Sequence, residues 1–460
     1  MGDSQGSLGS PRDVLCDRAK EWGICITDEV FATKLDAEDP LGQYRHKFFY
    51  PKAVDMPAVD LSLVEKDEEA VYLCGHSLGL APRRASTLLD EEMQQWHKLG
   101  TLSRFYGKIP VEHCDEDLLI PMAEIVGAKQ EEVVIMNGLS VNLHLFMISF
   151  YRPTCNRYKV LLEDKAFPSD HYVIESQIKL HGFDPDASMV FLKPREGEYN
   201  LRTEDILSVI EEEGASIAVI LIPGIQYRTG QLFNLQAITA AGHAQGCYVG
   251  ADLAHAAGNV RLRLHDWNVD FACWCTYKYL NSGHGSLGAA FLHKRHHNNK
   301  FPKLTGWWGH KFETRFNMDN VMEFEEGANA YRISNTSPFL CAHIRASLEI
   351  FHDASMHRIV TKSKFLTAYM EILLEEEERK SVNGTKFTIM TPSDPDQRGA
   401  MLTICIPKPV VEVYKELEKR GVVVDKREPN ILRFGPAPLY NSFHDVFRCV
   451  QKLRQALQAV

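Results

Sequence analysis

The chain has 460 residues, 45% of them apolar and 24% charged, with a formal net charge of -10. That length exceeds what one core organises, so two or three units with room for a buried site are expected. The ordinary composition excludes the disordered and membrane-embedded classes, and the acidic balance argues against a nucleic-acid partner.

The opening stretch MGDSQGSLGSPRD is polar and lacks the apolar core of a signal peptide, so residues 1–10 are expected to form a disordered tail. Eleven cysteines, scattered from Cys16 to Cys449 without repeated spacing, fit reduced thiols in a cytoplasmic compartment better than a disulfide framework. No apolar run approaches the ~20 residues of a membrane helix, and a soluble protein is expected.

Residues 11–79 read as a helical N-terminal segment with an extended stretch at PKAVDMPAVD. From 80 to 344 short apolar runs alternate with helical periods. The runs VVIM (133–136), YKVLL (158–162), IAVILI (217–222), CYVGAD (247–252), DFACWC (270–275) and AAFL (289–292) predict strands. SDHYVIESQIKLHG and LQAITAAGHAQG predict helices, each closed by a glycine suited to a left-handed C-terminus. This alternation predicts an α/β fold whose large domain has an open, mainly parallel sheet covered on both faces. Residues 345–460 predict a smaller α+β domain. There the acidic helix end EEEERK (375–380) leads to a loop at SVNGTK, followed by strands KFTIM, MLTICI and VVVD and the helices VVEVYKELEKRG and DVFRCVQKLRQAL.

In an open parallel sheet, ligands bind at the carboxyl ends of the strands. Lys278 follows DFACWC and emerges at that edge, where apolar surroundings favour an amine reactive toward carbonyls; alone, it reads more readily as a lysine reaching solvent. Its company decides. Asp252 closes CYVGAD, a costly place for a carboxylate unless it meets a cation such as a protonated pyridine nitrogen, and His255 follows. Gly138, Leu139 and Ser140 follow VVIM at a predicted helix start, where free N–H groups, a hydroxyl and the helix dipole suit a phosphate. Phe167, Pro168, Ser169 and Asp170 follow YKVLL, while Tyr227 and Arg228 follow IAVILI. An aldehyde-reactive amine, a phosphate cradle, an acid for a ring nitrogen and a flat aromatic together are what pyridoxal 5'-phosphate requires.

A rival lies beside the lysine. GHGSLG (283–288) has the spacing of a dinucleotide-binding turn, which would make the chain an NAD(P)-dependent oxidoreductase. It is followed by the strand-like AAFL in place of a helix, and the stretch about twenty residues on, LTGWWGHK, has no carboxylate for the ribose. HKRHHNNK (293–300) is expected to be a basic surface loop, and no metal is expected there.

The segments GHSLGL (75–80), AFPSDHY (166–172), GADLAHAAGN (250–259), CTYKYLNSG (275–283), GWWGH (306–310), YRISN (331–335) and PAPLYNSFHDV (436–446) resemble the kynureninase family, most of all its animal members. The resemblance covers nearly the whole chain from about residue 15. It implies the fold-type-I, aspartate aminotransferase-like architecture and hydrolysis of kynurenine or 3-hydroxykynurenine to alanine and an anthranilate, in the NAD-forming branch of tryptophan catabolism. Lys278 is implied to hold the cofactor aldehyde, Asp252 to pair with the ring nitrogen and Phe167 to stack on the ring. Leu139, Ser140, Tyr227, Tyr277 and Trp307 are implied near the phosphate, with Pro168, Ser169, Asp170, His255 and Asn335 also around the cofactor. Ser77, Arg104, Trp307, Asn335 and Arg433 are implied for the substrate, Arg433 for its carboxylate, to which a two-pronged guanidinium is suited. Trp307 and Asn335 are implied to come from the partner of a homodimer, and Tyr277 is a candidate acid–base group as well as a phosphate ligand.

Three positions depart from the family pattern: His76 stands in place of asparagine, Pro223 in place of serine, and Arg104 in place of the histidine that faces the aryl ring. Arg104 leaves the ring preference open. A same-fold lyase or transaminase such as a cysteine desulfurase, and a cofactor-less binding protein, remain as alternatives at this point.

Overall fold

The computed structural model describes residues 9–380 and 386–460. The expected tail, apart from Gly9 and Ser10, and most of the SVNGTK loop lie outside the described residues. Ser10 is structured: its hydroxyl accepts from the Asp13 N–H, and Asp13 answers on the Ser10 N–H, capping helix Pro11–Trp22.

The chain divides into two compact units, one of residues 82–227 and 232–352, the other of residues up to 81, 228–231 and 353 onward. The N-terminal segment is therefore no body of its own. It contributes one short strand, β1 (Val71–Tyr72), and two helices, Pro11–Trp22 and Glu29–Ala37, to the unit that holds the C-terminus.

The larger unit is built on β2 (Val133–Ile135), β3 (Lys159–Glu163), β4 (Met189–Leu192), β5 (Ile217–Pro223), β6 (Tyr248–Asp252), β7 (Phe271–Cys275) and β8 (Gly288–Leu292). Their spatial order is β2-β8-β7-β6-β5-β3-β4. β8 is antiparallel to both neighbours, and all other pairs are parallel. Strands covered on both faces read as continuous apolar runs, and β5 and β7 are buried at every position. The edge strand β4 was not expected, because MVFL is short and only Leu192 is fully buried. Helices Leu139–Phe150 and Pro168–Leu180 lead out of β2 and β3, and Phe146, Phe150 and Ile174 enter one core with Val160, Val219 and Phe271.

In the smaller unit β9 (Thr388–Ile389), β10 (Leu402–Cys405), β11 (Val422–Val423), β12 (Asp425–Arg427) and β13 (Ile431–Phe434) form two sheets. One is antiparallel, ordered β12-β13-β10-β9; the other pairs β1 with β11 in parallel. The single strand expected at VVVD is thus two strands in two sheets, broken at Val424. Leu15, Phe31 and Leu35 share a core with Tyr369, Leu373 and Val446, which is why the two ends of the chain fold together.

Candidate active site

The carboxyl ends of β3, β5, β6 and β7 open on a cavity of about 250 Å³. Leu139, Ser140, Phe167, Ser169, Asp170, Tyr227, Asp252, His255, Tyr277 and Lys278 line it, so ten of the expected residues share one space. Gly138 and Pro223 line it too, along with Val141, Glu163, Ile225 and Ala254, which the sequence reading had not singled out. Pro168 is the first residue of the helix that carries Ser169 and Asp170.

Lys278 stands three residues past β7 and is 9% exposed, with Nζ 5.6 Å from the centroid of the Phe167 ring. Phe167 presents a half-open face and meets Tyr227 edge-on at 5.3 Å. A flat ligand bonded to Nζ would find an aromatic surface within stacking reach.

Beneath the lysine lie two carboxyls. Asp252 ends β6 and its Oδ1 accepts the Ala254 N–H at 2.8 Å. Asp170 is hydrogen-bonded to it, and Asp170 Oδ1 is buried without a hydrogen-bond partner. Burial, the charge of Asp252 and the bond between them push Asp170 well above the usual carboxylate range. Burial raises Asp252 as well, but Lys278, the Ala254 N–H and the bond from Asp170 oppose it. Both carboxyls are thus pushed up, Asp170 the further, which fits a proton shared between them. Burial and Cys275, to which its hydroxyl bonds, raise the Tyr277 phenol, so it keeps its proton.

At the far end of the cavity, helix Leu139–Phe150 starts without a side-chain cap, and its bonding begins with Asn142 N–H to Gly138 C=O at 3.1 Å. The N–H groups of residues 139–141 precede that first bond, as an anion site needs. Gly288, the last residue of GHGSLG, is pressed against this turn: a Cβ there would lie 2.9 Å from the Trp274 carbonyl and 3.4 Å from the Leu139 nitrogen. The motif opens β8 and no helix, so the dinucleotide geometry is absent.

The remaining expected residues lie elsewhere. Arg104, Trp307 and Asn335 do not line this cavity. The Arg104 guanidinium lies 5.9 Å over the Trp307 ring, and its Nε is 3.1 Å from Glu112. Trp307 donates from Nε1 to the Arg315 carbonyl at 3.1 Å, and Asn335 is exposed. Ser77, His76 and Arg433 belong to the smaller unit. There Arg433 pairs with Asp425, its register partner on β12, and His76 Nε2 is 3.8 Å from the same carboxylate.

The basic loop HKRHHNNK is not the surface feature expected. His293 and His296 are buried, and both meet carboxylates that lie far away in sequence. His296 bonds Asp270, which also takes His243 and Arg295; His293 lies 4.0 Å from Glu132. Glu132, His265 and His293 place three ligand-type atoms within 4.8 Å of one another. All are engaged: Glu132 accepts from the Lys129 and Lys294 N–H groups and from His265 Nδ1, and His293 Nδ1 accepts from the Arg295 N–H. They form a filled carboxylate cradle joining the ends of β2 and β8.

The cavity residues fit pyridoxal phosphate. An amine stands for the aldehyde, an acidic pair with an unpartnered oxygen for the ring nitrogen, and an uncapped helix start for the phosphate. The fold matches solved structures with such names at levels that speak for architecture alone. A C-DES mutant with glycine covalently linked to its PLP cofactor gives a TM-score of 0.70 at 14% identity, over 86% of this chain and 99% of that one. The cysteine desulfurase CsdA from Escherichia coli gives 0.70 at 15%, over 91% and 99%. The architecture is that of the fold-type-I pyridoxal-phosphate enzymes.

Sequence narrows the class. Kynureninases from Mus musculus and Homo sapiens are each 52% identical to this chain over 98% of both partners, and that of Myxococcus xanthus is 48% identical over 92% of this chain and 96% of its own. The kynureninase C-terminal domain matches residues 359–453. The chain belongs to the kynureninase family.

Proposed function

We propose that this protein hydrolyses the Cβ–Cγ bond of L-kynurenine, 3-hydroxy-L-kynurenine or both, giving L-alanine and anthranilate or its 3-hydroxy form. The observation that carries this is identity of about one half, over nearly the full length of both partners, to kynureninases of animals and bacteria. Among the residues lining the cavity there is no cysteine, which disfavours the desulfurase alternative.

Pyridoxal phosphate, when bound, supplies the electron sink that lets bonds at the substrate's α and β carbons break. The chain's own groups do the rest. Lys278 would hold the cofactor aldehyde, and its amine, when free, would take and return the proton at Cα. Asp252, with Asp170 bonded to it, would hold the proton on the ring nitrogen. Phe167 covers one ring face; Ser140 and the N–H groups of the helix start hold the phosphate, with Leu139, Tyr227, Ser169 and His255 closing the walls. Tyr277, held protonated by burial, donates to the ketone oxygen as water adds to that carbon. The family resemblance assigns the substrate carboxylate to Arg433 and a substrate contact to Ser77.

Trp307 and Asn335 complete the site of a second copy, so the working form is a homodimer. Trp96, Leu102, Phe105, Tyr106 and Trp307 are exposed aromatic or aliphatic side chains of the larger unit, more than a monomer of this kind needs to show water. A cytoplasmic location accords with eleven free cysteines.

The test is turnover of kynurenine beside 3-hydroxykynurenine, with alanine and the anthranilate measured, in the native chain and in Arg104→His. Formation of both products supports the assignment, and a changed ratio of the two kcat/KM values in Arg104→His assigns the aryl pocket. Keto acid in place of alanine, or no turnover of either kynurenine, would refute it.

A further inference from the structure

Glu163 is the last residue of β3, 3% exposed, and lines the same cavity as Asp170, Asp252 and Lys278. Its Oε1 is buried without a hydrogen-bond partner, as is Oδ1 of Asp170, while the carboxyl also bonds the Gln226 side chain. The titratable groups around it come from every strand end of the cavity. They are Asp164 next in the chain, Asp170 on the following helix, Tyr227 after β5, Asp252 and His255 at and after β6, and Tyr277 and Lys278 after β7.

Lys278 is the one lysine or arginine lining the cavity, against three buried carboxyls. Three such groups in one desolvated space cannot all ionise; protons stay on those with the least compensation. Asp252 has an N–H, a cation and a donated proton to compensate it. Glu163 has an amide alone, and burial pushes it up to about 8.

We propose that Glu163 is a third carboxyl of the cofactor cradle, a positioning residue whose ionised form keeps the proton on Asp170 and so keeps Asp170 a donor to Asp252. That ionisation adds a second negative charge to the cradle. That charge favours the protonated form of the bound cofactor and extends it to higher pH.

The role rests on the cofactor assignment, and the colour of the wild-type holoenzyme is the control that separates the two. The experiment is a pH titration of the visible absorbance of the holoenzyme for wild type, Glu163→Gln and Glu163→Asp, with cofactor affinity measured by equilibrium binding. Glu163→Gln keeps the shape and the bond to Gln226 but cannot ionise. Its spectral midpoint is expected to fall by about half a pH unit or more, the size of a unit charge's pull across several ångströms. Cofactor affinity should change by less than about threefold, because the charge removed is not a cofactor contact. Glu163→Asp should return the midpoint toward wild type. A wild-type midpoint in Glu163→Gln, or equal shifts in both variants, overturns the proposal; the first would leave Glu163 only a packing partner of Gln226.

Discussion

Arg433 and Asp425 face each other as register partners on β13 and β12, guanidinium against carboxylate, with Arg433 almost wholly buried. The arginine assigned to the substrate carboxylate is thus held in place by an acid of its own unit. The carboxylate pairs with Arg427 as well as with the buried Arg433, so Asp425→Asn should lower stability by about 3 kcal/mol, read by denaturant unfolding. Arg433→Lys keeps the charge but loses the fork. It should raise KM about tenfold or more with a smaller effect on kcat, and equal effects on both would argue against a carboxylate-binding role.

Lys278→Ala removes the only lysine of the cavity. The variant should fold, stay colourless with added pyridoxal phosphate and gain no mass after borohydride. Activity should drop by at least about 10³-fold, as for loss of a nucleophile that acts as a unit with its neighbours. A borohydride adduct on another lysine would displace the assignment.

A network outside the site predicts the acid limb of stability. Burial pushes Asp270 up, but hydrogen bonds from His243 and His296 and the charge of Arg295 outweigh it and hold its carboxyl well below the usual range. A carboxylate depressed in the folded state contributes stability that is present above its unfolded value of about 4 and is lost as pH falls further. Asp270→Asn should therefore lower stability near neutrality by about 3 kcal/mol and flatten the dependence below about pH 4. Unfolding curves between pH 3 and pH 7 would check both, and an unchanged acid limb would remove Asp270 as its source.

Most strands of the larger unit could be read in advance because a sheet covered on both faces writes itself as apolar runs. What escaped was short or charged: MVFL at the edge, DKR of β12, and ILRF of β13, where Arg433 interrupts the pattern. Glu163 escaped by one position. The apolar run YKVLL stops at residue 162, yet Glu163 closes β3 as Asp252 closes β6, each a carboxylate at the end of a buried strand. The buried fates of His293 and His296 could not be read, because their partners Glu132 and Asp270 are distant in sequence and supplied only by folding. Joint placement at strand ends was legible because a parallel sheet sends every such end to one edge; Arg433 came from family resemblance alone.

The glycines and the lysine of CTYKYLNSGHGSLG serve one site from two sides, and Gly288 gives the sharpest test. It does not line the cavity, yet its missing Cβ is what lets β8 lie against the Trp274 carbonyl and the Asn142 side chain of the helix that starts at Leu139. A methyl there would sit 2.9 Å from the Trp274 carbonyl oxygen, 3.2 Å from the Asn142 amide and 3.4 Å from the Leu139 nitrogen. The one contact under 3 Å is with the β7 backbone, so relief must come from shifting β8 against β7, which also moves β8 against the helix start. Overpacking of this kind costs about 1–3 kcal/mol. Gly288→Ala should also weaken phosphate capture: affinity for pyridoxal phosphate should fall about tenfold or more, with a smaller loss for pyridoxal, which lacks the phosphate. Equilibrium binding of the two aldehydes to the apo form is the measurement. Equal losses for both would place the damage at the lysine end of the cavity and not at the helix start.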